Sequence, residues 1–182
     1  MRKGIMLIVC MLVMIGSAAC SGGGGGSSSG GGTGDTMTVT LTDQSTAVTT
    51  TYTEAGFNTY GYLDPNLSSH VTTSSDTWVL LSTGATGSSI DLSINIAVRG
   101  NTPGSYPTGT TPSSTFISYT TYTTGIQSYN SQNSNSTGTI TLTSVGNVGE
   151  MITGSFDAIV AHISYPTNTR GISGTFSVKR EH

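Results

Sequence analysis

The sequence carries little charge. Asp, Glu, Lys and Arg make up 8% of its 182 residues, whereas an ordinary soluble domain has about 25%. Six basic and nine acidic residues give a net charge of −3, which excludes the basic surface typical of a nucleic-acid-binding protein. Beyond the first twenty residues, no apolar run is long enough to form a transmembrane helix.

Cysteine and the common catalytic motifs are scarce too. Of the two cysteines, Cys10 lies in an apolar amino-terminal stretch, so a chain cut after that stretch keeps Cys20 alone and has no intramolecular disulfide. There is no G-x-S-x-G nucleophile motif, and no H-x-H, C-x-x-C, H-E-x-x-H or Asp-rich calcium loop. We therefore expect no catalytic site, metal or cofactor. Ser and Thr, by contrast, supply roughly a third of the residues, which favours strands and turns over helices.

The amino terminus has the pattern of an export signal. A positive start at residues 1–3 is followed by an apolar stretch over residues 4–16 and by the small residues 17–19. The apolar stretch suits the central region of a signal peptide and is too short to span a bilayer. We predict a signal peptide over residues 1–19, with cleavage between Ala19 and Cys20.

The small residues followed by Cys20 resemble the lipobox of bacterial lipoproteins. In that family the cysteine thiol is alkylated by diacylglycerol, the chain is cut before it, and the new amine is acylated. The resemblance implies that Cys20 is the lipidated mature amino terminus, carrying fatty acids such as palmitate. The family usually has an aliphatic residue three places before the cysteine, where this chain has Ser17. Ser17 and Ala19 also suit an ordinary signal peptidase, whose product would be a soluble periplasmic or secreted protein.

A flexible tether follows the predicted lipidation site. Ser21 to Gly34 contains only Gly, Ser and one Thr, so nothing in it can be buried to offset the entropy of ordering. We expect residues 20–34 to be a disordered linker with a mean reach of about 20 Å. Gram-negative lipoproteins kept in the inner membrane have Asp directly after the cysteine. Ser21 stands there, so the resemblance implies an outer-membrane location.

Residues 35–182 alternate apolar and polar side chains as strands do. The clearest run is Ile90 to Val98, and no segment after the signal peptide has the 3.6-residue period of a helix. The predicted strands are 36–42, 48–53, 58–63, 71–81, 90–98, 115–122, 139–145, 152–160 and 172–178. This spacing predicts an all-β domain, an antiparallel β-sandwich (jelly-roll or Ig-like) of roughly 8–10 strands.

One short repeat predicts which strands are neighbours. Ile-Thr-Gly-Ser-Phe at 152–156 returns as Ile-Ser-Gly-Thr-Phe at 172–176. In each copy Ile, Gly and Phe share a strand face, and the glycine leaves room for a large side chain from a neighbouring or facing strand. We expect the two to be adjacent antiparallel strands, joined through the loop at 165–168, with both Phe rings in the core.

A second, weaker resemblance covers roughly Ser89 to Lys179. A long alternating strand is followed by Gly104 and Tyr106. Further along the chain, Gly-Thr-Ile-Thr-Leu-Thr at 138–143 precedes the two repeat strands. This layout resembles a group of uncharacterised bacterial lipoproteins whose domain has no assigned function. It implies a β-sandwich and no activity.

Four tyrosines are the candidate ligand-binding residues. Tyr60 and Tyr62 share one face of a predicted strand, and Tyr119 and Tyr122 lie in and beside a polar stretch. An exposed tyrosine offers a flat amphipathic surface for a sugar or a protein partner. The alternative is that these rings complete the core.

The three histidines are weaker candidates for chemistry. His70 forms a dyad with Asp64 or Asp76 only if the fold brings them together. In the absence of a calcium-binding motif, a calcium site would need one of these two carboxylates together with backbone carbonyls of a loop. His162 falls at a core-facing position of its predicted strand, which indicates a partly buried or edge histidine. His182, the final residue, is expected to be frayed.

These expectations describe a lipid-anchored protein of the cell envelope with a non-catalytic structural or recognition role. The expected partners are the membrane, through the anchor, and a glycan or an envelope protein, with no nucleic acid. Two alternatives remain. One is a carbohydrate- or protein-binding adhesin-like domain that uses exposed tyrosines, and the other is a small envelope hydrolase with a site built from loops.

Overall fold

The computed structural model describes residues 34–43, 46–53, 66–83, 92–111, 113–122 and 125–182. The predicted signal peptide, Cys20 and nearly all of the tether lie outside these ranges, as do the predicted strand 58–63, Tyr60, Tyr62 and Asp64. The described residues form eleven strands and no helix, which confirms the all-β prediction with one strand more than expected. They are β1 (Thr36–Asp43), β2 (Thr46–Thr53), β3 (Asn66–Val71), β4 (Thr77–Thr83), β5 (Leu92–Val98), β6 (Gly104–Pro107), β7 (Phe116–Thr121), β8 (Gln127–Asn130), β9 (Thr137–Val145), β10 (Met151–His162) and β11 (Thr169–Lys179).

The strands pair antiparallel in the order β2-β1-β11-β10-β8-β7-β5-β4-β3, and β9 pairs with both β10 and β6. The twelve-residue β10 changes partner along its length. Its residues 152–159 pair with β9, whereas Ala161 and His162 pair with β8. One long strand therefore joins two groups of shorter ones.

The end of β11 brings the sheet close to closing on itself. Ser69 of β3 forms a parallel bridge with Arg180. The backbone N–H of Glu181 donates to the Ser69 carbonyl at 2.8 Å, and the Val71 N–H donates to the His182 oxygen at 2.8 Å. The Ser69 hydroxyl, fully buried, donates to the Lys179 carbonyl at 2.9 Å. The antiparallel sheet is thereby nearly closed into a barrel.

A single hydrophobic cluster fills the interior and follows the predicted alternation. Its fully buried members include Met37, Ile94, Ile96, Ile140 and Ile152. In β5 the alternation Leu92, Ile94 and Ile96 faces this core. Burial of such side chains contributes about 1.5–3 kcal/mol each, so the period-two pattern is what fixes which face of each strand turns inward.

The repeat strands are adjacent, as predicted. β10 and β11 pair antiparallel through the loop at 165–168, with Gly154 opposite Phe176 and Phe156 opposite Gly174. The prediction of one strand over residues 71–81 is wrong. Val71 ends β3, residues 72–76 form a turn, and β4 begins at Thr77. The Ser75 N–H donates to the Thr72 carbonyl and the Asp76 N–H to the Thr72 hydroxyl, while Ser75 takes a φ of 65°. The polar run at 72–76 thus favours a turn over a continuous strand.

Candidate functional site

The structure places the two described candidate tyrosines differently. Tyr119 points into the core from β7 and is 3% exposed, whereas Tyr122 follows the end of that strand and is 39% exposed. Tyr60 and Tyr62 lie outside the described residues. Tyr119 is therefore a buried ring, and Tyr122 is exposed at the surface.

A surface pocket of about 480 Å³ lies against Tyr119. Its lining comes from four strands: Leu41, Thr42 and Asp43 of β1, Thr46 and Val48 of β2, Tyr119 of β7 and Arg170 of β11. The pairing of β1 with β11, which sets Thr42 opposite Gly171, brings the ends of these two strands together. We call this the Arg170 pocket.

Arg170 and Asp43 form an ion pair in the pocket wall. The Arg170 Nη2 lies 3.2 Å from the Asp43 Oδ2, with side chains that are 29% and 54% exposed. An ion pair this open to solvent adds about 0–1 kcal/mol to stability. The two opposite charges cancel locally, and both side chains keep part of their surface open to solvent. The exposed parts of the guanidinium and the carboxylate are therefore accessible from the pocket.

Buried aromatic rings pack against the Arg170 guanidinium on the side that faces the core. The Arg170 Cζ lies 4.9 Å from the centroid of the Tyr129 ring, a cation–π contact. Tyr129 in turn stacks on Tyr119 at 5.7 Å between centroids and meets the His162 ring edge to face at 5.1 Å. Burial raises the pKa of the Tyr119 hydroxyl, and the charge of Arg170 and a hydrogen bond with it offset part of that rise.

Sequence reasoning missed two members of this arrangement, Arg170 and Asp43, whereas Tyr129 belongs to the same tyrosine-containing polar stretch as Tyr119 and Tyr122. Tyr129 is 1% exposed and its hydroxyl is buried without a hydrogen-bond partner. Arg170 is one of only six basic residues, and this scarcity was the signal that could have marked it as a candidate site residue. Nothing local in the sequence joins it to Asp43, because the two meet only through the pairing of β1 with β11.

His70 does not meet an acid among the described residues. Its ring stacks on Trp78 at 6.2 Å and on His182 at 5.2 Å between centroids. Burial lowers the pKa of His70, and the nearby His182 lowers it further. Asp76 instead pairs with Arg99, with the Arg99 Nη1 at 2.7 Å from the Asp76 Oδ2. The prediction that His182 is frayed is wrong, because both its ring and its oxygen are engaged.

His162 is a buried strand histidine, as its alternation indicated. It is 6% exposed, and its Nδ1 accepts a hydrogen bond from the Ser164 backbone N–H at 3.1 Å. Its ring lies between those of Tyr129 and Tyr165. These contacts give His162 a packing role beside the Arg170 pocket.

In the described part of the chain, His, Cys, Asp and Glu form no group of three or more that could hold a metal ion. Over the same residues, no helix is long and apolar enough to cross a membrane. No protein-family model matches the chain, and neither the curated proteins nor the solved structures give a significant match. The case for a function therefore rests on this chain's own residues.

Proposed function

We propose that this protein is a lipid-anchored recognition module of the bacterial cell envelope that binds a neutral glycan in the Arg170 pocket. The observation that supports the binding role is the Arg170–Asp43 pair in the pocket wall, which sets a partly exposed guanidinium beside an exposed carboxylate. A pocket of about 480 Å³ is within the size range of small-molecule sites.

The chemistry of the lining matches a sugar. Sugar hydroxyls both donate and accept hydrogen bonds, and Arg170 supplies donors while Asp43 supplies acceptors. The hydroxyls of Thr42 and Thr46 do either, and Leu41 and Val48 offer apolar contact for the C–H face of a ring. Because the charges of Arg170 and Asp43 cancel, a neutral sugar suits the pocket better than a strongly anionic one.

We further propose that the strands form the two layers of a β-sandwich. One layer would hold β6, β9, β10, β11, β1 and β2, and the other β8, β7, β5, β4 and β3. The partner changes support this division, since β10 passes from β9 to β8, and the end of β11 passes from β1 to β3. The Arg170 pocket would then lie where β7 of one layer meets β1, β2 and β11 of the other.

No catalytic role is part of the proposal. The His70 ring contacts Trp78 and His182, and the His162 Nδ1 already accepts a backbone N–H. Among the residues that the structure describes, neither imidazole contacts both an acid and a hydroxyl nucleophile, as acyl transfer requires.

Glycan binding by the wild-type protein and two variants tests the pocket. Arg170→Ala removes the guanidinium from the pocket, and Lys179→Ala removes an exposed positive charge from the end of the same strand. Because a hydrogen bond to a charged group contributes about 1.5–3 kcal/mol, we expect Arg170→Ala to weaken binding at least about tenfold. Lys179→Ala should bind as the wild type does. Equal binding by all three proteins, or none by the wild type, would contradict the proposal.

The anchor is tested separately by the intact mass of the protein from native membranes. We expect a mature chain that starts at Cys20 and carries the mass of diacylglycerol and a further acyl chain. Cys20→Ser should lose that mass and should move from the detergent phase to the aqueous phase. An unmodified mature start would refute the lipid anchor and would leave the proposed glycan site standing.

A further inference from the structure

Among the strands that the structure describes, β2 lies at an edge of the sheet. Over the described residues it pairs with β1 and with no other strand, in an unbroken register from Thr46 to Thr53. Seven of its eight side chains are exposed, and Tyr52 is half-buried. The strand Thr-Ala-Val-Thr-Thr-Thr-Tyr-Thr contains no charge, no proline and no glycine. Within its own eight residues it therefore has no charged side chain, proline or bulge of the kind by which natural edge strands resist pairing.

The other ends of the sheet are protected. β3 is covered at its end by residues 180–182, through the backbone bonds of Ser69 and Val71. β6 has only four residues and includes Pro107, which has no N–H to offer another strand. β2 is twice as long as β6 and has neither kind of protection within the described ranges, so it is the long edge that these residues leave available.

We propose that β2 is a dimerisation edge, on which a second copy of this chain adds its own β2. Two antiparallel strands related by a two-fold axis normal to the sheet can be centred on Thr50. Thr49 of each copy then lies opposite Thr51 of the other, and Val48 lies opposite Tyr52. Such a contact is isologous and closes at two copies.

The side chains of β2 suit this self-pairing. Within the chain, threonines already pair across β1 and β2, with hydroxyl oxygens 3.1 Å apart for Thr38 and Thr51 and 2.7 Å apart for Thr40 and Thr49. Self-pairing would also place the Tyr52 of the second copy beside Val48, which is 59% exposed and lines the Arg170 pocket, so that pocket would lie next to the dimer contact. Because β2 is uncharged, two copies meet there without like-charge repulsion between the paired strands. One strand edge is smaller than a standard permanent interface, so we expect a reversible dimer.

Cysteine cross-linking in native membranes tests the proposal directly. Thr50 lies opposite itself across the axis, and residues that are directly opposite have Cα atoms about 4.5–5.5 Å apart, within reach of a disulfide. We expect Thr50→Cys to form a covalent dimer under mild oxidation. Thr143→Cys, also an exposed threonine but in β9 between β6 and β10, is the matched control and should stay monomeric.

Sedimentation of the purified protein supplies a second measurement that needs no cysteine. The wild-type mass should rise towards twice the monomer mass as concentration increases, whereas Thr50→Lys should remain at the monomer mass. Cross-linking of Thr50→Cys no greater than that of Thr143→Cys would overturn the proposal. Cross-linking of Thr50→Cys to a different envelope protein would overturn it as well, because the edge would then accept another chain.

Discussion

The ring of Phe156 lies over Gly174, its partner across the β10–β11 pair, and Phe176 lies over Gly154 in return. A Cβ added at Gly174 would be 2.7 Å from the Phe156 Cζ, and one added at Gly154 would be 2.5 Å from the Phe176 Cζ. The two rings lie nearly parallel, with an interplanar angle of 14° and centroids 6.5 Å apart. Each glycine therefore leaves the space that a core phenylalanine ring from the paired strand occupies.

Replacing either glycine by alanine should destabilise the fold. A Cβ at Gly174 would also meet the Thr38 carbonyl oxygen, and one at Gly154 the Thr141 carbonyl oxygen. Because these are backbone atoms, a rotamer change cannot relieve the overlap, and overpacking of this kind costs about 1–3 kcal/mol. We expect Gly154→Ala and Gly174→Ala each to lower the free energy of unfolding by that amount, measured by urea denaturation.

Gly104→Ala is the matched control for these two variants. Gly104 is also a strand glycine, but a Cβ there would come no closer than 3.6 Å to the nearest atoms, which belong to Tyr106. It should change stability by a few tenths of a kcal/mol at most. Equal destabilisation by all three substitutions would show that loss of glycine as such, and not contact with Phe156 and Phe176, sets the cost.

Stability should fall in mild acid because of His70. Burial holds its pKa below the ordinary value of 6.5, so the unfolded chain binds a proton before the folded one does. The free energy of unfolding should therefore decrease as pH drops through 6.5 and level off below the folded pKa of His70. Urea unfolding followed by the fluorescence of Trp78, the single tryptophan, should show it. His70→Phe, which keeps a ring against Trp78, should flatten the dependence, and an unchanged slope would rule out His70 as the source.

Tyr119 should make the free energy of unfolding decrease at high pH, whereas His70 makes it decrease in acid. Its pKa is raised above the ordinary value of 10.0 by burial, so the unfolded chain loses the proton first. The contribution of Tyr119 is complete below 10.0 and is lost as pH rises towards the folded pKa. The difference between the ultraviolet titrations of the wild type and Tyr119→Phe isolates this group from the other seven tyrosines. A difference curve centred at or below 10.0 would contradict the buried position of Tyr119.

Ser69→Ala should loosen the closure between β3 and the end of β11. It removes the hydroxyl that donates to the carbonyls of Val178 and Lys179, at a cost of about 0.5–1.5 kcal/mol. Hydrogen exchange at the amides of Val71 and Glu181 should become faster, because both bridge this seam. Ser68→Ala, on the opposite face of the same strand, is the control and should leave these amides unchanged.

The sequence predicted well what depends on neighbours along the chain. The alternation of Ile94 and Ile96 identified a core-facing strand, and the repeated Ile-x-Gly-x-Phe pattern identified β10 and β11 as partners. Side-chain direction in a strand follows a local period of two, so it can be read from a few consecutive residues. The buried position of Tyr119 was hidden because Ser and Thr surround it and only Ile117 marks the inward face.

What could not be predicted depends on partners far away in the chain. Ser69 and Lys179 are 110 residues apart, yet their contact helps to close the sheet. The Arg170 pocket likewise forms only when the first and last described strands pair. Local alternation carries no information about which strand lies beside which, so the sequence could suggest tyrosines as binding residues but not the guanidinium and carboxylate beside one of them.

The pairing of β1 with β11 also constrains when the protein can acquire its structure. β1 can pair with β2 as soon as both have been synthesised, but its second neighbour, β11, follows only after nine intervening strands. Contacts of such high sequence separation form slowly. The β1–β11 pair, and with it the wall of the Arg170 pocket, should therefore be among the last parts of the sheet to form during folding.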